Sequence, residues 1–135
     1  MSQSHNAFHV SQAYRTVSIT VSPLRAVVML LEGAARMLKM AIEAGEAERF
    51  EESHGHVVKA TTILRGLAQH LNPQKGGDVA DQLAKTYHSL IMAALRAYGR
   101  PDAPAQYGRI IKSLNEMRDA WSFVLKQNSS PAASV

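Results

Sequence analysis

Residues 22–45 read SPLRAVVMLLEGAARMLKMAIEAG, and both ends of this stretch carry helix signals. Ser22 supplies a capping hydroxyl, and Pro23 at the first helical position lacks an N–H that would have had no partner there. No further proline interrupts the run, its one internal glycine is Gly33, and Gly45 is placed as the stop. Leu24, Val27, Val28, Leu31, Ala35, Leu38 and Ile42 recur every three or four residues and form one buried face. Arg25, Glu32, Arg36, Lys39 and Glu43 fall on the opposite stripe. Met29 lies among these charges, four residues after Arg25 and three before Glu32.

The flanking sequence repeats this pattern three times. A second helix is expected over about 47–71, with a seam of Phe50, Val57, Leu64 and Leu71 filled by His54, Thr61 and Ala68, before Asn72-Pro73 breaks it. The alternation of four- and three-residue steps is that of antiparallel bundle packing. Gly76-Gly77-Asp78 opens a third helix over about 77–98, which buries Val79, Leu83, Tyr87, Leu90, Ala94 and Tyr98 and places Met92 on its outer stripe between charges. After Gly99-Arg100-Pro101-Asp102, a fourth helix over about 103–126 buries Tyr107, Ile110, Ile111, Leu114, Met117, Trp121 and Val124. Short connections force each helix antiparallel to the one before it. The expected fold is all-α, an up-down antiparallel four-helix bundle over 22–126. Residues 1–21 form a mobile N-terminal segment able to cover a groove, and 127–135 a flexible tail.

Composition narrows the chemistry. The 135 residues suit one domain, and no cysteine is present for disulfides, thiolate metal sites or cysteine nucleophiles. No apolar run approaches the ~20 residues that span a bilayer, and the N-terminus lacks a secretory pattern, so a cytoplasmic protein without membrane insertion is expected. The net charge is +4 and the pI about 9.6, yet residues 43–52 hold five glutamates against Arg49 alone. The remaining basic residues are scattered, which argues against a nucleic-acid surface.

Catalysis is poorly served. Glu51 and His54 have a di-metal bundle spacing, but no other helix supplies a second copy, so no metal or cofactor is expected. His56 with Lys59 three residues later matches the spacing of a histidine phosphotransfer module. That is the enzyme-like alternative, set against a solvated helix face. The apolar residues out of place point instead to binding. Met29 and Met92 sit among charges, and Met40 flanks the first core face. Tyr14, Val17 and Ile19 lie in a segment without a helix of its own. Methionine suits adaptable contact with an apolar partner helix or extended chain. These six residues are the candidate partner contacts. Leu31, Leu38, Leu64, Tyr87 and Trp121 are the candidate core, where truncation to alanine costs roughly 2–5 kcal/mol.

Three ordered motifs carry a resemblance. Ala13-Tyr14, Thr20-Val21-Ser22-Pro23 and Met29-Leu30-Leu31-Glu32-Gly33-Ala34 resemble the start of FliS-type flagellar export chaperones. Gln74-Lys75-Gly76-Gly77-Asp78-Val79-Ala80, with Leu83 and Tyr87, is similar to that family's Glu-Lys-Gly-Gly-Glu-Ile-Ala stretch, and Met117-Arg118-Asp119-Ala120-Trp121 to its Leu-Arg-Asp-Ala-Trp. The chain departs from the pattern at Val21, Leu31 and Glu32, at Leu24-Arg25 where an acidic pair is common, and at Met92-Ala93 where arginines are frequent. The resemblance implies a cytosolic, non-enzymatic chaperone that holds the C-terminal segment of flagellin, prevents premature polymerisation and assists delivery to the flagellar type III export gate. It also implies that the segment bearing Tyr14 shields part of the groove. Whether the protein is a monomer or a weak dimer stays open.

Overall fold

Four amphipathic sequences of matched length bury their apolar faces most economically against one another. The computed structural model describes residues 12–13 and 23–128, and its described residues form four long helices: α1 (Pro23–Glu46), α2 (Phe50–Gln69), α3 (Pro73–Ala97) and α4 (Ala103–Asn128). Each packs on its neighbours in the order α1–α2–α3–α4, and α4 closes back onto α1, giving the expected four-helix bundle. No strand occurs among the described residues. The expected mobile segment 1–21 and tail 127–135 fall largely outside the described residues.

The core runs the length of α1. Leu31, Ala34 and Leu38 are fully buried, with Leu64, Tyr87 and Leu114 completing the centre from the other three helices. Trp121, expected in that centre, is only half-buried and packs against its edge, while Val124 one turn later is buried. Polar residues in the seam are satisfied locally. Ser53 Oγ donates to the Ala41 carbonyl at 2.7 Å and ties α2 to α1, and Thr61 Oγ1 donates to the Val58 carbonyl at 2.9 Å.

Two expected boundaries move, each for a backbone reason. Helix α1 passes through Gly45 and ends one residue later. The Arg49 N–H then donates to the Ala44 carbonyl (2.8 Å) and the Glu48 N–H to the Gly45 carbonyl (3.0 Å), the paired bonds of a Schellman motif. Glu48, not a glycine, holds its left-handed position at φ 61°. This turn delays α2 to Phe50 and changes what its first residues face. Phe50 and His54, expected in the seam, are exposed, and Ser53 is buried instead. Helix α3 starts earlier than residue 77. Asn72 Oδ1 accepts from the Gln74 and Lys75 N–H groups (3.1 and 3.2 Å), with Pro73 at the first position. Gly77 then leaves helical geometry (φ 56°, ψ −132°) before the helix resumes, so the glycine pair marks a kink inside α3.

Tyr107 is buried in the core end of α4, and its hydroxyl has no hydrogen-bond partner among the described residues. Burial, and secondarily the neighbouring Tyr98 phenol, push its pKa up to about 12. The folded state therefore keeps the proton over a range in which the unfolded chain, with a tyrosine pKa of ~10, releases it. Stability contributed by this group is present below pH ~10 and is lost as pH rises toward 12. We predict that Tyr107→Phe flattens the loss of stability between pH 10 and 12 in urea titrations, and leaves neutral-pH stability unchanged or higher, since it removes an unsatisfied buried group. We also predict that Glu48→Gly raises stability by about 1 kcal/mol in the same assay, by relieving the left-handed strain.

Candidate partner-binding surface

Met29 and Met40 are eleven residues apart, three turns of helix, so they share one stripe of α1 about 16 Å apart. Both point outward, Met29 at 54% exposure and Met40 at 36%, and Leu30 beside Met29 is exposed as well. Gly33 and Arg36 occupy the turns between them. A Cβ at Gly33 would lie 3.6 Å from Ile63 Cδ1, ordinary contact distance, so α2 passes close beside the stripe. An exposed methionine forgoes the burial that stabilises it elsewhere. Two on one stripe, with a leucine alongside, make an apolar surface of unbranched, polarizable side chains that reshape easily around a partner.

Met92 occupies different ground. It is half-buried, although the sequence pattern places it on an outer stripe. It lines a depression of about 270 Å³ between α2 and α3 with Arg65, Ala68, His88, Ile91 and Leu95. Helix α2 therefore stands between Met92 and the α1 stripe. The groove between α1 and α4 is polar: Arg118 reaches Glu32 at 3.6 Å and Asp119 at 2.6 Å, contacts worth at most ~1 kcal/mol at such exposure. Of the six candidate contacts, Met29 and Met40 come together and Met92 does not join them. Tyr14, Val17 and Ile19 lie outside the described residues.

Ala13, immediately before Tyr14, is described, and it is fully buried. Its carbonyl accepts from the Asn72 N–H at 2.6 Å. Its side chain rests on Gly76, where an added Cβ would come within 2.9 Å of Ala13 Cβ and 2.8 Å of Ala80 Cβ. Gly76 thus serves close approach: its missing side chain leaves the space in which Ala13 sits on the bundle. Sequence pattern missed this anchor because a helix-entry glycine and a docking glycine look alike before the chain is folded. It also missed Leu30 and Leu95, each adjacent in sequence to a residue already assigned a role.

His54 and His56 are held in local contacts. The His56 side chain is only 12% exposed, with Nε2 3.6 Å from Glu52 and Nδ1 buried without a partner among the described residues. A phosphotransfer histidine needs an accessible imidazole, so the His56–Lys59 alternative is not supported. The His54 ring packs against Tyr98, centroids 4.7 Å apart. Among the described residues no three histidine, aspartate or glutamate side chains converge as metal ligands, and no helix is long and apolar enough to cross a membrane.

Comparison with known proteins gives a consistent result. The family model described as "Flagellar protein FliS" matches residues 6–128. The chain is 30% identical over 118 residues to the "Flagellar secretion chaperone FliS" of Vibrio cholerae serotype O1, covering 82% of this chain and 84% of that protein. It is 30% identical over 132 residues to the protein of that name from Salmonella typhimurium, covering 91% of each. It is 27% identical over 120 residues to the "Flagellar secretion chaperone FliSB" of Pseudomonas aeruginosa, covering 85% of this chain and 94% of that protein.

We predict that Gly76→Ala displaces the N-terminal segment while the bundle stays folded. Amide exchange at Asn72 should accelerate at least tenfold, and limited proteolysis should shift to the residues around Ala13. Unchanged exchange would show that Gly76 does not seat the segment.

Proposed function

The chain belongs to the FliS family of flagellar proteins, and we propose that it acts in the cytoplasm as a flagellar export chaperone for flagellin. It holds the C-terminal segment of flagellin, keeps that segment from polymerising before export, and assists its delivery to the flagellar type III export apparatus. The observation that carries this reading is the outward-facing methionine stripe of α1 on a bundle whose relatives are named flagellar secretion chaperones. An apolar segment destined for contacts within a filament is a hazard while free, and covering it on another protein removes the hazard without altering a covalent bond.

Release has to follow binding. Adaptable methionines on an open helix face favour many moderate contacts over one deep anchor, which keeps dissociation possible. Met92, in its separate depression beyond α2, fits a segment that wraps around the bundle instead of lying on a single face. Tyr14, Val17 and Ile19 follow directly after the buried Ala13, and we assign them to the same surface as a cover that flagellin displaces.

The experiment is a binding titration with the host's flagellin, intact and lacking its last ~40 residues, about one or two helices' length. Intact flagellin should bind and the truncated form should not. Met29→Lys with Met40→Lys should weaken binding by about ten- to a hundredfold, corresponding to roughly 1.4–2.8 kcal/mol, with melting temperature and helicity unchanged. Binding to neither flagellin would overturn the chaperone reading. Equal binding by the double variant would remove the α1 stripe from it.

A further inference from the structure

At the end of the bundle where α1 turns into α2 and α3 into α4, a cleft of about 470 Å³ opens between the two turns. Its walls are mostly apolar, with Ile42, Phe50, Pro101 and Pro104 beside Glu46 and Arg100. Phe50, at 61% exposure, and the exposed Tyr98 stand at its lips. Tyr107 lines the cleft with its buried, unpartnered hydroxyl, a donor that folding has desolvated without compensation. Such a group loses stability unless something else uses it.

Charge distinguishes this end from the rest of the molecule. Residues 43–52 carry −4, and Arg96, Arg100 and Asp102 on the facing turn add only +1, in a chain whose total is +4. Glu43, Glu46, Glu48 and Glu51 have no ion-pair partner among the described residues, whereas Glu52 is engaged by Arg49 at 3.1 Å and lies 3.6 Å from His56. Arg100 also lines the cleft and keeps its charge, its Nε held by the Arg96 carbonyl at 2.8 Å, so the excess of negative charge at this end comes from the glutamates around it. An apolar cleft with exposed aromatic lips and unneutralised glutamates suits a cation beside an apolar group, because an aromatic face and a carboxylate both attract positive charge.

We propose that this cleft is a docking site for a short extended stretch of another polypeptide, in which an apolar side chain is flanked by lysine or arginine. The apolar side chain fills the space between Ile42, Phe50 and the two prolines. The flanking cations lie over Phe50 and Tyr98 and toward Glu46 and Glu48. With Tyr98 turned aside from its contact with His54, the Tyr107 O–H donates to a backbone carbonyl of the incoming chain. A peptide brings an apolar plug, a carbonyl and cations together. The connection between Ala13 and Pro23 does not reach this place. Both its anchors are at the opposite end of α1, about 36 Å away, and the midpoint of nine residues extends at most ~18 Å from them. The site is separate from the methionine stripe and does not depend on flagellin as the partner there.

The test titrates the intact, isotope-labelled protein with the blocked peptide Ac-Gly-Ser-Lys-Leu-Lys-Ser-Gly-NH2 and follows amide shifts by nuclear magnetic resonance. Saturable shifts are expected at Phe50 and Tyr98–Ala103, with none at Met29. The same peptide with both lysines replaced by glutamate, or the leucine by serine, should bind at least about tenfold more weakly, and added salt should weaken the lysine peptide. Tyr107→Phe should lower affinity about five- to tenfold, the worth of one neutral hydrogen bond, while its melting temperature is unchanged or raised. Glu46→Gln with Glu48→Gln should narrow the preference for lysine over glutamate. Shifts absent from this end, equal binding of the lysine and glutamate peptides, or unaltered affinity of Tyr107→Phe would each overturn the proposal.

Discussion

Helix α1 is gripped on both sides, by α2 through Ala41, Ser53 and the close approach of Ile63 to Gly33, and by α4 along the groove bridged by Arg118 and Glu32. Its small buried residues, Ala34, Ala35 and Ala41, let the neighbours approach, and Leu31 and Leu38 fill the space between them. Interior packing at crystal-like density leaves such a helix one rotational setting. Once that setting is fixed, the direction of every other side chain on α1 is fixed with it. Met29 and Met40 are presented to solvent because Leu31 and Leu38 are not.

The same logic explains why this protein tolerates features that lower its stability. Exposed methionines, an exposed phenylalanine and an uncompensated tyrosine hydroxyl each forgo free energy that a better-buried residue would contribute. A core running the whole length of α1 supplies enough stability to carry them. Chaperone work requires apolar surface outside the core that a partner can reach, and a bundle can hold that surface on its outer faces and ends without loosening its centre.

Legibility in the sequence was greatest for the core faces of the four helices. Leu31, Leu38, Leu64 and Tyr87 were readable as core because each lies several turns inside its helix, where three- and four-residue spacing translates directly into burial. Phe50, His54 and Tyr98 have the same spacing and are nonetheless exposed: the turn at Glu48 resets the start of α2, and Tyr98 is already outside α3 as its cap, with extended backbone (φ −60°, ψ 131°). Trp121 has core spacing too, yet it is half-buried while Val124 beyond it is buried. Met29 and Met40 were legible as outward-facing because they broke a pattern. Met92 broke a pattern too, yet it is half-buried in the depression between α2 and α3, which no spacing within α3 reveals.

Periodicity, capping residues and breakers were enough to establish four helices, their order, their antiparallel run and the central core, because these depend on interactions within a few residues of one another. The ordered motifs were enough to suggest the family. Three things required the folded chain: the seat of Ala13 on Gly76, the separation of Met92 from the α1 stripe, and the cleft that gathers Phe50, Tyr98 and Tyr107 beside the glutamates of the first turn. Each brings together residues from helices or turns distant in sequence, and spacing along one helix carries no information about the rotation of its neighbour.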